Sequence, residues 1–183
     1  MINYNQIITE NSVLESDRIV LRPFSIEDIN DVFLYASDNI TTKFLTWSSH
    51  TNILQTEKVV KEFYMGKDGI FAIELKSEHK CIGCIDLRLC LEHDKASFGY
   101  VLNRNYWNNG YMSEALKIIL DFSFYKLGLN RVESTHYVGN EGSGRVMEKC
   151  RMNYEGKGIK EVKVKETFYE IGRASCRERV FAG

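Results

Sequence analysis

The stretch Asn105–Ala115 constrains the fold of this chain more than any other part of the sequence. It separates an apolar run, Phe98–Leu102, which predicts a strand, from a periodic run, Ala115–Leu127, which predicts a helix. A strand that ends in an Asn- and Gly-rich turn and opens a helix presents several unpartnered backbone N–H groups at one point. The helix dipole adds partial positive charge there, so the turn predicts a phosphate site. Asn-Asn-Gly alone is also common in plain surface turns.

Length and charge exclude several classes of protein. A chain of 183 residues predicts a single domain with a sizeable core. Its 24 basic and 25 acidic side chains nearly cancel, so we expect neither a nucleic-acid partner nor attraction to an anionic membrane. No apolar run approaches the roughly 20 residues that span a bilayer, and Met1–Glu10 does not resemble a signal peptide. These features predict a cytoplasmic protein without a membrane partner.

The cysteines indicate reduced thiols and no metal site. There are five of them, an odd number. Cys81 and Cys84 have C-x-x-C spacing, but no second pair completes a zinc site, and Ile82-Gly83 between them is typical of a strand interior. We therefore predict buried strand thiols and no bound metal.

The rest of the chain predicts short strands alternating with helices. The predicted strands are Arg18–Arg22, Gly69–Leu75, Lys80–Leu89, Ala96–Leu102 and Arg131–Val138. The predicted helices are Ser25–Ala36, Gln55–Met65, Tyr111–Gly128 and Gly142–Cys150. Alternating charged and apolar residues over Tyr154–Phe168 predict an exposed hairpin.

Residues Tyr106–Ala115 resemble the acetyl-CoA pyrophosphate loop of the GNAT acetyltransferases, in the branch that acetylates protein N-terminal amines. Four further motifs agree in order: Leu21–Phe24, Ile82-Gly83, Gly99-Tyr100 and Asn140–Lys149. The resemblance covers Arg18 to Phe168 and implies an α/β fold of the GNAT type. That fold has a central, mixed, mostly antiparallel sheet with flanking helices. Its strands splay at the acetyl-CoA site, here Ala96–Leu102 and Arg131–Val138.

The resemblance implies that acetyl-CoA is the co-substrate. Its pantetheine amides would pair with backbone groups of Val101, Leu102 and Asn103, and its pyrophosphate would meet backbone N–H groups of the loop. The loop residues are Trp107, Asn108, Asn109, Gly110, Tyr111, Met112 and Ser113. Trp107 and Met112 depart from the wider superfamily pattern, which has Arg or Gln at the first of these positions and Gly or Ala at the last.

The resemblance also assigns roles on the last predicted helix. Asn140 would hydrogen-bond a pantetheine amide while capping the helix, and Ser143, one turn later, would lie near the thioester sulfur. Many GNAT enzymes place a Tyr further along as general acid, but Met147 stands there, so Ser143 is the candidate proton donor. Arg145 and Lys149 are candidates for coenzyme A phosphates, with solvated helix-face charges as the alternative.

The general base is less well specified. The branch often carries Glu two residues before the Gly-Tyr pair, where this chain has Ser97, which could hydrogen-bond the acceptor amine or a water. His136 lies in the strand predicted to face Ser97, and its ordinary pKa of about 6.5 suits a base. A plain strand histidine is the alternative. Glu133 and Asp86 are remoter options, and the amine could also lose its proton to water.

Three functions stay open at this point. Transfer of an acetyl group to a primary amine could act on a protein N-terminus or on a small amine such as an antibiotic or polyamine. An open groove beside Trp47 would favour the first acceptor, and a closed acidic pocket the second. The missing Glu also allows a non-catalytic acyl-CoA-binding module. The protein would be a monomer or homodimer.

The end of the chain differs from the rest. Ile171–Val180 resembles the conceptual translation of a sequencing-library adapter and shows neither strand nor helix periodicity. We therefore expect one acetyltransferase domain over residues 1–170 and a non-native tail over residues 171–183, with a native disordered basic tail as the alternative. The family's last strand should begin near Phe168, so the tail could replace part of it.

Overall fold

The computed structural model describes residues 3–177, which have an α/β fold. Its helices are α1 (Tyr4–Glu10), α2 (Ile29–Ala36), α3 (Ile53–Val59), α4 (Tyr111–Asp121) and α5 (Glu141–Lys149). Its strands are β1 (Leu14–Glu15), β2 (Ile19–Arg22), β3 (Ile70–Leu75), β4 (Lys80–Cys90), β5 (Lys95–Leu102), β6 (Arg131–Tyr137), β7 (Asn153–Val164) and β8 (Thr167–Arg177). Short π-helical turns, Val60–Tyr64 and Phe122–Lys126, continue α3 and α4.

The eight strands form one sheet in the order β1-β2-β3-β4-β5-β6-β8-β7. The pairs β1–β2, β2–β3, β3–β4, β6–β8 and β7–β8 are antiparallel, and β5 pairs with β6 in parallel. This confirms the predicted mixed, mostly antiparallel sheet. The β5–β6 register runs only from Lys95–Arg131 to Ser97–Glu133. Beyond it, the carbonyl of Phe98 accepts a hydrogen bond from the Ser134 hydroxyl at 2.8 Å instead.

The described chain divides into two compact units. The first comprises residues 3–86 and 100–115, and the second residues 87–99 and 116–177. The core of the first unit is made of buried side chains from its helices and strands, namely Phe24, Val32, Tyr35, Ala36, Val60, Ala72, Cys81, Cys84 and Val101. Both cysteines lie in β4, so the predicted buried strand thiols are confirmed, and burial raises the pKa of both thiols well above the ordinary range.

The Ile82-Gly83 motif marks a close approach of two backbones. A Cβ at Gly83 would lie 2.4 Å from the carbonyl oxygen of Val101, so any side chain there would push β4 and β5 apart. Next to it, the N–H of Asn103 donates to the carbonyl of Ile82 at 2.8 Å. The motif therefore fixes the end of β5, from which the phosphate-binding turn is predicted to start.

The second unit contains the stretch expected to be a tail. Residues Ile171–Arg177 are part of β8, which lies between β6 and β7, with Tyr137 opposite Ile171 and Arg131 opposite Arg177. Ile171, Ala174 and Cys176 are buried. Residues 171–177 therefore form part of a strand although their sequence shows no strand periodicity. Residues 178–183 lie outside the described residues, and the non-native origin of the segment stays a prediction.

None of the helices in the described part of the chain combines the length and apolarity needed to cross a bilayer. Residues 3–177 also bring together no group of three or more His, Cys, Asp or Glu side chains that could hold a metal ion.

Candidate active site

The turn after β5 has the geometry of an anion site. The side chain of Asn103 accepts a hydrogen bond from the N–H of Asn105 at 3.1 Å and starts the turn. Asn108 and Gly110 both have left-handed backbone angles, with φ of 63° and 84°. Asn is among the few residues besides Gly that adopt this conformation readily, which explains why Asn can stand at position 108. Left-handed residues in a turn can direct successive N–H groups towards one side, and this turn leads into the start of α4.

Arg18 holds this turn against the first turn of α4. Its guanidinium donates to the carbonyl of Asn109 at 3.1 Å and to the carboxylate of Glu114 at 2.7 Å, and lies 4.6 Å from the ring centroid of Tyr111. The Ser16 hydroxyl donates to the same carboxylate at 2.6 Å. Burial alone would raise the pKa of Glu114, but the hydrogen bonds from Ser16 and Arg18 outweigh it and lower that pKa. Glu114 therefore stays ionised and keeps Arg18 in place.

The sequence did not identify Arg18 and Glu114 as site residues. They are far apart in the chain, and no spacing rule links them. The only signal was that Glu114 lies inside the motif that resembles the pyrophosphate loop.

The end of β5 directs its backbone groups to two different edges. The N–H of Asn103 already pairs with Ile82 on β4, and the Leu102 carbonyl accepts the indole N–H of Trp107 at 2.8 Å. Successive residues of a strand point their N–H groups to opposite edges, so the N–H of Leu102 points away from β4. Of the three residues predicted to pair with pantetheine, Asn103 has its N–H bonded within the sheet, whereas the N–H of Leu102 points away from β4.

Helix α5 places its predicted residues in two different environments. The Asn140 side chain caps the helix by accepting the N–H of Ser143 at 3.4 Å. Met147, at the position of the usual Tyr, is buried and offers no proton. Arg145 pairs with Glu141 at 3.2 Å, and both side chains are exposed. Lys149 is also exposed, so both cations of this helix lie on its solvated face.

His136 occupies a slot between α5 and β8. A Cβ at Gly144 would lie 3.1 Å from its Nε2, and one at Gly172 would lie 2.5 Å from its Cε1. Its Nδ1 is buried without a hydrogen-bond partner. Burial lowers the pKa of His136 below its ordinary value, so the imidazole is neutral at pH 7. The structure thus brings His136 next to the first turn of α5, which carries Ser143.

Ser97 lies in a different place from His136. It lines a cavity of about 440 Å³, together with Glu133 and Thr135, and His136 is not part of that lining. Side chains alternate between the two faces of a strand, and Ser97 is directly opposite Glu133, so His136 points to the other face. β6 does pair with β5 as expected, but the side chains of Ser97 and His136 lie on opposite faces of the sheet.

The two remaining candidates for the general base, Glu133 and Asp86, are both unfavourable. Hydrogen bonds from Lys95 (2.9 Å) and Arg131 (2.7 Å), with the first the larger cause, lower the pKa of Glu133 and reduce its basicity. Asp86 ends the β4 portion of the first unit, opposite Ile70, and does not line the cavity.

Comparison with known proteins agrees with this architecture. Residues 18–153 match the family model described as an acetyltransferase (GNAT) domain. An uncharacterised N-acetyltransferase of Bacillus subtilis (strain 168), YoaA, is 30% identical over 149 residues, which cover 79% of this chain and 84% of YoaA.

Solved structures share the fold. A GNAT-family acetyltransferase from Bacillus anthracis superposes with a TM-score of 0.84 and 27% identity, over 90% of this chain and 98% of that one. The microcin C7 self-immunity acetyltransferase MccE, solved with acetyl-CoA and AMP, gives a TM-score of 0.77 at 19% identity. The match covers 89% of this chain and 94% of the MccE chain. At this level of identity it shows only that the two proteins share a fold. Because the family model spans most of the sequence, the chain belongs to the GNAT acetyltransferases.

Proposed function

We propose that the protein transfers the acetyl group of acetyl-CoA directly to a primary amine. The observation that carries this proposal is the turn Trp107–Gly110, with its two left-handed residues at the start of α4, held by Arg18. That arrangement suits a pyrophosphate, which is the part of coenzyme A with the strongest charge. The acetyl-CoA seen in the structure of MccE supports the same co-substrate.

The chain supplies groups for each part of the reaction. The N–H of Leu102 would polarise the thioester carbonyl and stabilise the oxyanion that forms when the neutral amine attacks the carbonyl carbon. The C–S bond then breaks, the acetyl group stays on nitrogen, and the Ser143 hydroxyl gives its proton to the departing thiolate and regains one from water. The proton that the amine loses goes to a base or to water. The Asn140 side chain accepts the backbone N–H of Ser143 and so orients the helical turn that carries Ser143.

His136 is the favoured base because it is neutral and lies beside α5. If it accepts the amine's proton, directly or through water, kcat/KM should fall as pH drops through its lowered pKa, because the protonated ring cannot act. His136→Gln should lose this acidic limb and most of the activity. The pH dependence of kcat/KM measures both effects. His79→Gln, at an exposed turn, is the matched control and should keep the profile. An unchanged limb in His136→Gln would leave the amine's own ionisation as its origin.

The acceptor class follows from the resemblance. A protein N-terminus is favoured by the Tyr106–Ala115 motif, and a small amine is the alternative.

The five thiols, none of them in a disulfide within the described residues, support a cytoplasmic location.

A second function, a non-catalytic acyl-CoA-binding module, is favoured by Ser97 at the position of the branch's Glu. Release of coenzyme A with any amine would separate the enzyme from the binding module.

The pyrophosphate loop is tested by Gly110→Val. Gly110 has a φ of 84°, which a β-branched residue adopts only with strain. We expect acetyl-CoA to bind more than tenfold more weakly, a loss of over about 1.4 kcal/mol, by calorimetry. Gly66→Val is the matched control, since Gly66 has a φ of 66° in a turn that the proposed site does not use. Equal affinity of folded Gly110→Val and wild type would rule out this loop.

A further inference from the structure

The turn between β1 and β2, residues 16–18, surrounds a carboxylate at the start of α4 with donors. The carboxylate of Glu114 accepts from the Ser16 hydroxyl at 2.6 Å, from the backbone N–H of Arg18 at 3.3 Å, from Nε of Arg18 at 2.7 Å and from its Nη2. Glu114 lies in the first helical turn of α4, and its N–H donates to the carbonyl of Gly110 at 3.0 Å. The side chain of Glu114 is only 19% exposed, so solvent screens its charge weakly.

The guanidinium of Arg18 also contacts the predicted phosphate-binding turn, residues 107–110. Its Nη1 donates to the carbonyl of Asn109 at 3.1 Å, and a Cβ at Gly110 would lie 3.5 Å from its Nη2. The ring of Tyr111 lies against it, with 4.6 Å from the guanidinium carbon to the ring centroid. One cation therefore bridges the carboxylate of Glu114 and the left-handed part of the turn.

Glu114 creates an electrostatic conflict in a site that binds an anion. An acidic residue in the first helical turn stabilises the helix, because it lies at the positive end of the helix dipole. A bound pyrophosphate uses the same positive end, so a bare carboxylate one helical turn from Gly110 would repel it. Arg18 removes this conflict, because its permanent positive charge is paired with Glu114 beside the turn.

We propose that Arg18 is a positioning residue of the coenzyme A site, which neutralises Glu114 beside the phosphate-binding turn and holds the Asn109 carbonyl in place. The inference rests on the proposed use of acetyl-CoA and adds a requirement from the N-terminal hairpin. It predicts a definite order of affinities. Loss of Arg18 alone is worse than loss of Arg18 and Glu114 together, since only the single change leaves a bare negative charge at the site.

Calorimetric titration of acetyl-CoA into a set of variants tests this order. Arg18→Met should bind about tenfold more weakly than wild type, or weaker still, which corresponds to about 1.4 kcal/mol. Glu114→Gln should stay within about threefold of wild type, and the double variant should bind about threefold more tightly than Arg18→Met. Equal affinity of Arg18→Met and wild type, or a double variant no tighter than Arg18→Met, would overturn the proposal.

Arg18→Lys separates the charge of Arg18 from its shape. The ammonium keeps a positive charge beside Glu114 but lacks the fork that also reaches Asn109, so we expect most of the affinity lost in Arg18→Met to return. Added salt should narrow the gap between Arg18→Met and the double variant, because it screens the repulsion. A purely structural role would produce neither effect. An Arg18→Lys variant as weak as Arg18→Met, with a gap that salt does not change, would contradict the proposal.

Lys76→Met is the matched control. Lys76 pairs with Glu15 of β1 at 2.7 Å, so this variant removes an ion pair from the same hairpin without touching the turn. The backbone pairs of the hairpin, Leu14 with Leu21 and Glu15 with Val20, remain in every variant, so we expect all of them to fold. Lys76→Met should keep wild-type affinity for acetyl-CoA. A loss as large as that in Arg18→Met would trace the effect to the hairpin as a whole and contradict the role of Arg18.

A second readout needs no coenzyme. Amide hydrogen exchange of residues 107–113 in the free protein should be faster in Arg18→Met than in wild type and unchanged in Lys76→Met, because Arg18 holds the Asn109 carbonyl. If wild type binds no acetyl-CoA, the proposed transfer fails, and this measurement still decides whether Arg18 orders the turn. If wild type and Arg18→Met bind acetyl-CoA equally, the proposed transfer stands and this inference fails. Unchanged exchange in Arg18→Met would likewise overturn it.

Discussion

Deletion of residues 171–183 should abolish the cooperative thermal unfolding of the protein, whereas deletion of residues 178–183 should leave it in place. The first deletion removes the half of β8 that pairs with β6 and leaves the edges of β6 and β7 unpaired. It also removes the buried Ile171, whose burial alone contributes about 1.5–3 kcal/mol. Whole domains are stable by only about 5–15 kcal/mol, so losing much of a strand that has a neighbour on each side is a large effect.

Circular dichroism during a thermal scan measures the outcome for both deletions. A cooperative transition within a few degrees of wild type after the longer deletion would show that β8 does not need residues 171–177. The shorter deletion is the control, because it truncates the same end of the chain and keeps the described strand.

Ser143→Ala should lower kcat roughly a hundredfold while acetyl-CoA affinity stays nearly unchanged. The substitution removes the hydroxyl that would protonate the departing thiolate and keeps the backbone N–H that Asn140 accepts. Proton-transfer roles are worth about 10²–10⁴-fold, and a thiolate is a good leaving group, so the lower end applies. Single-turnover kinetics with a rapidly acetylated amine measures the chemical step.

Two results define the role of Ser143. Ser77→Ala, in the exposed turn between β3 and β4, is the matched control and should keep wild-type kcat. Equal kcat in wild type and Ser143→Ala, when chemistry limits the rate, would remove Ser143 from the mechanism. A parallel loss of acetyl-CoA affinity would instead assign it to binding.

The features that could be predicted from the sequence are those set by local physics. The Asn-rich turn before α4 appears where the motif predicts it, because left-handed angles depend on the residue itself. The cap at Asn140 is local in the same way. By contrast, α1 was missed, since Tyr4–Glu10 has a single buried residue and little apolar periodicity, although Asn3 caps it.

The errors come from pairing between distant segments. Ile171–Arg177 has weak strand character on its own, but β6 and β7 on either side supply its hydrogen bonds, and context overrides propensity in sheets. The positions of Ser97 and His136 depend on the β5–β6 register, and a shift by one residue would have changed the face on which His136 lies. The contact between Arg18 and Glu114 is likewise tertiary and leaves no pattern in the sequence.

Gly172, which has no side chain, connects strand β8 to the position of His136, the candidate base. The imidazole of His136 rests directly on the β8 backbone there, with no room for even one added carbon. A version of this protein with a different C-terminal strand, and any larger residue at this place, would have to turn the ring out of its slot beside Gly144. The backbone of the last strand therefore fixes the position of the imidazole, and exchanging that strand would shift the pH dependence proposed for His136 without altering α5.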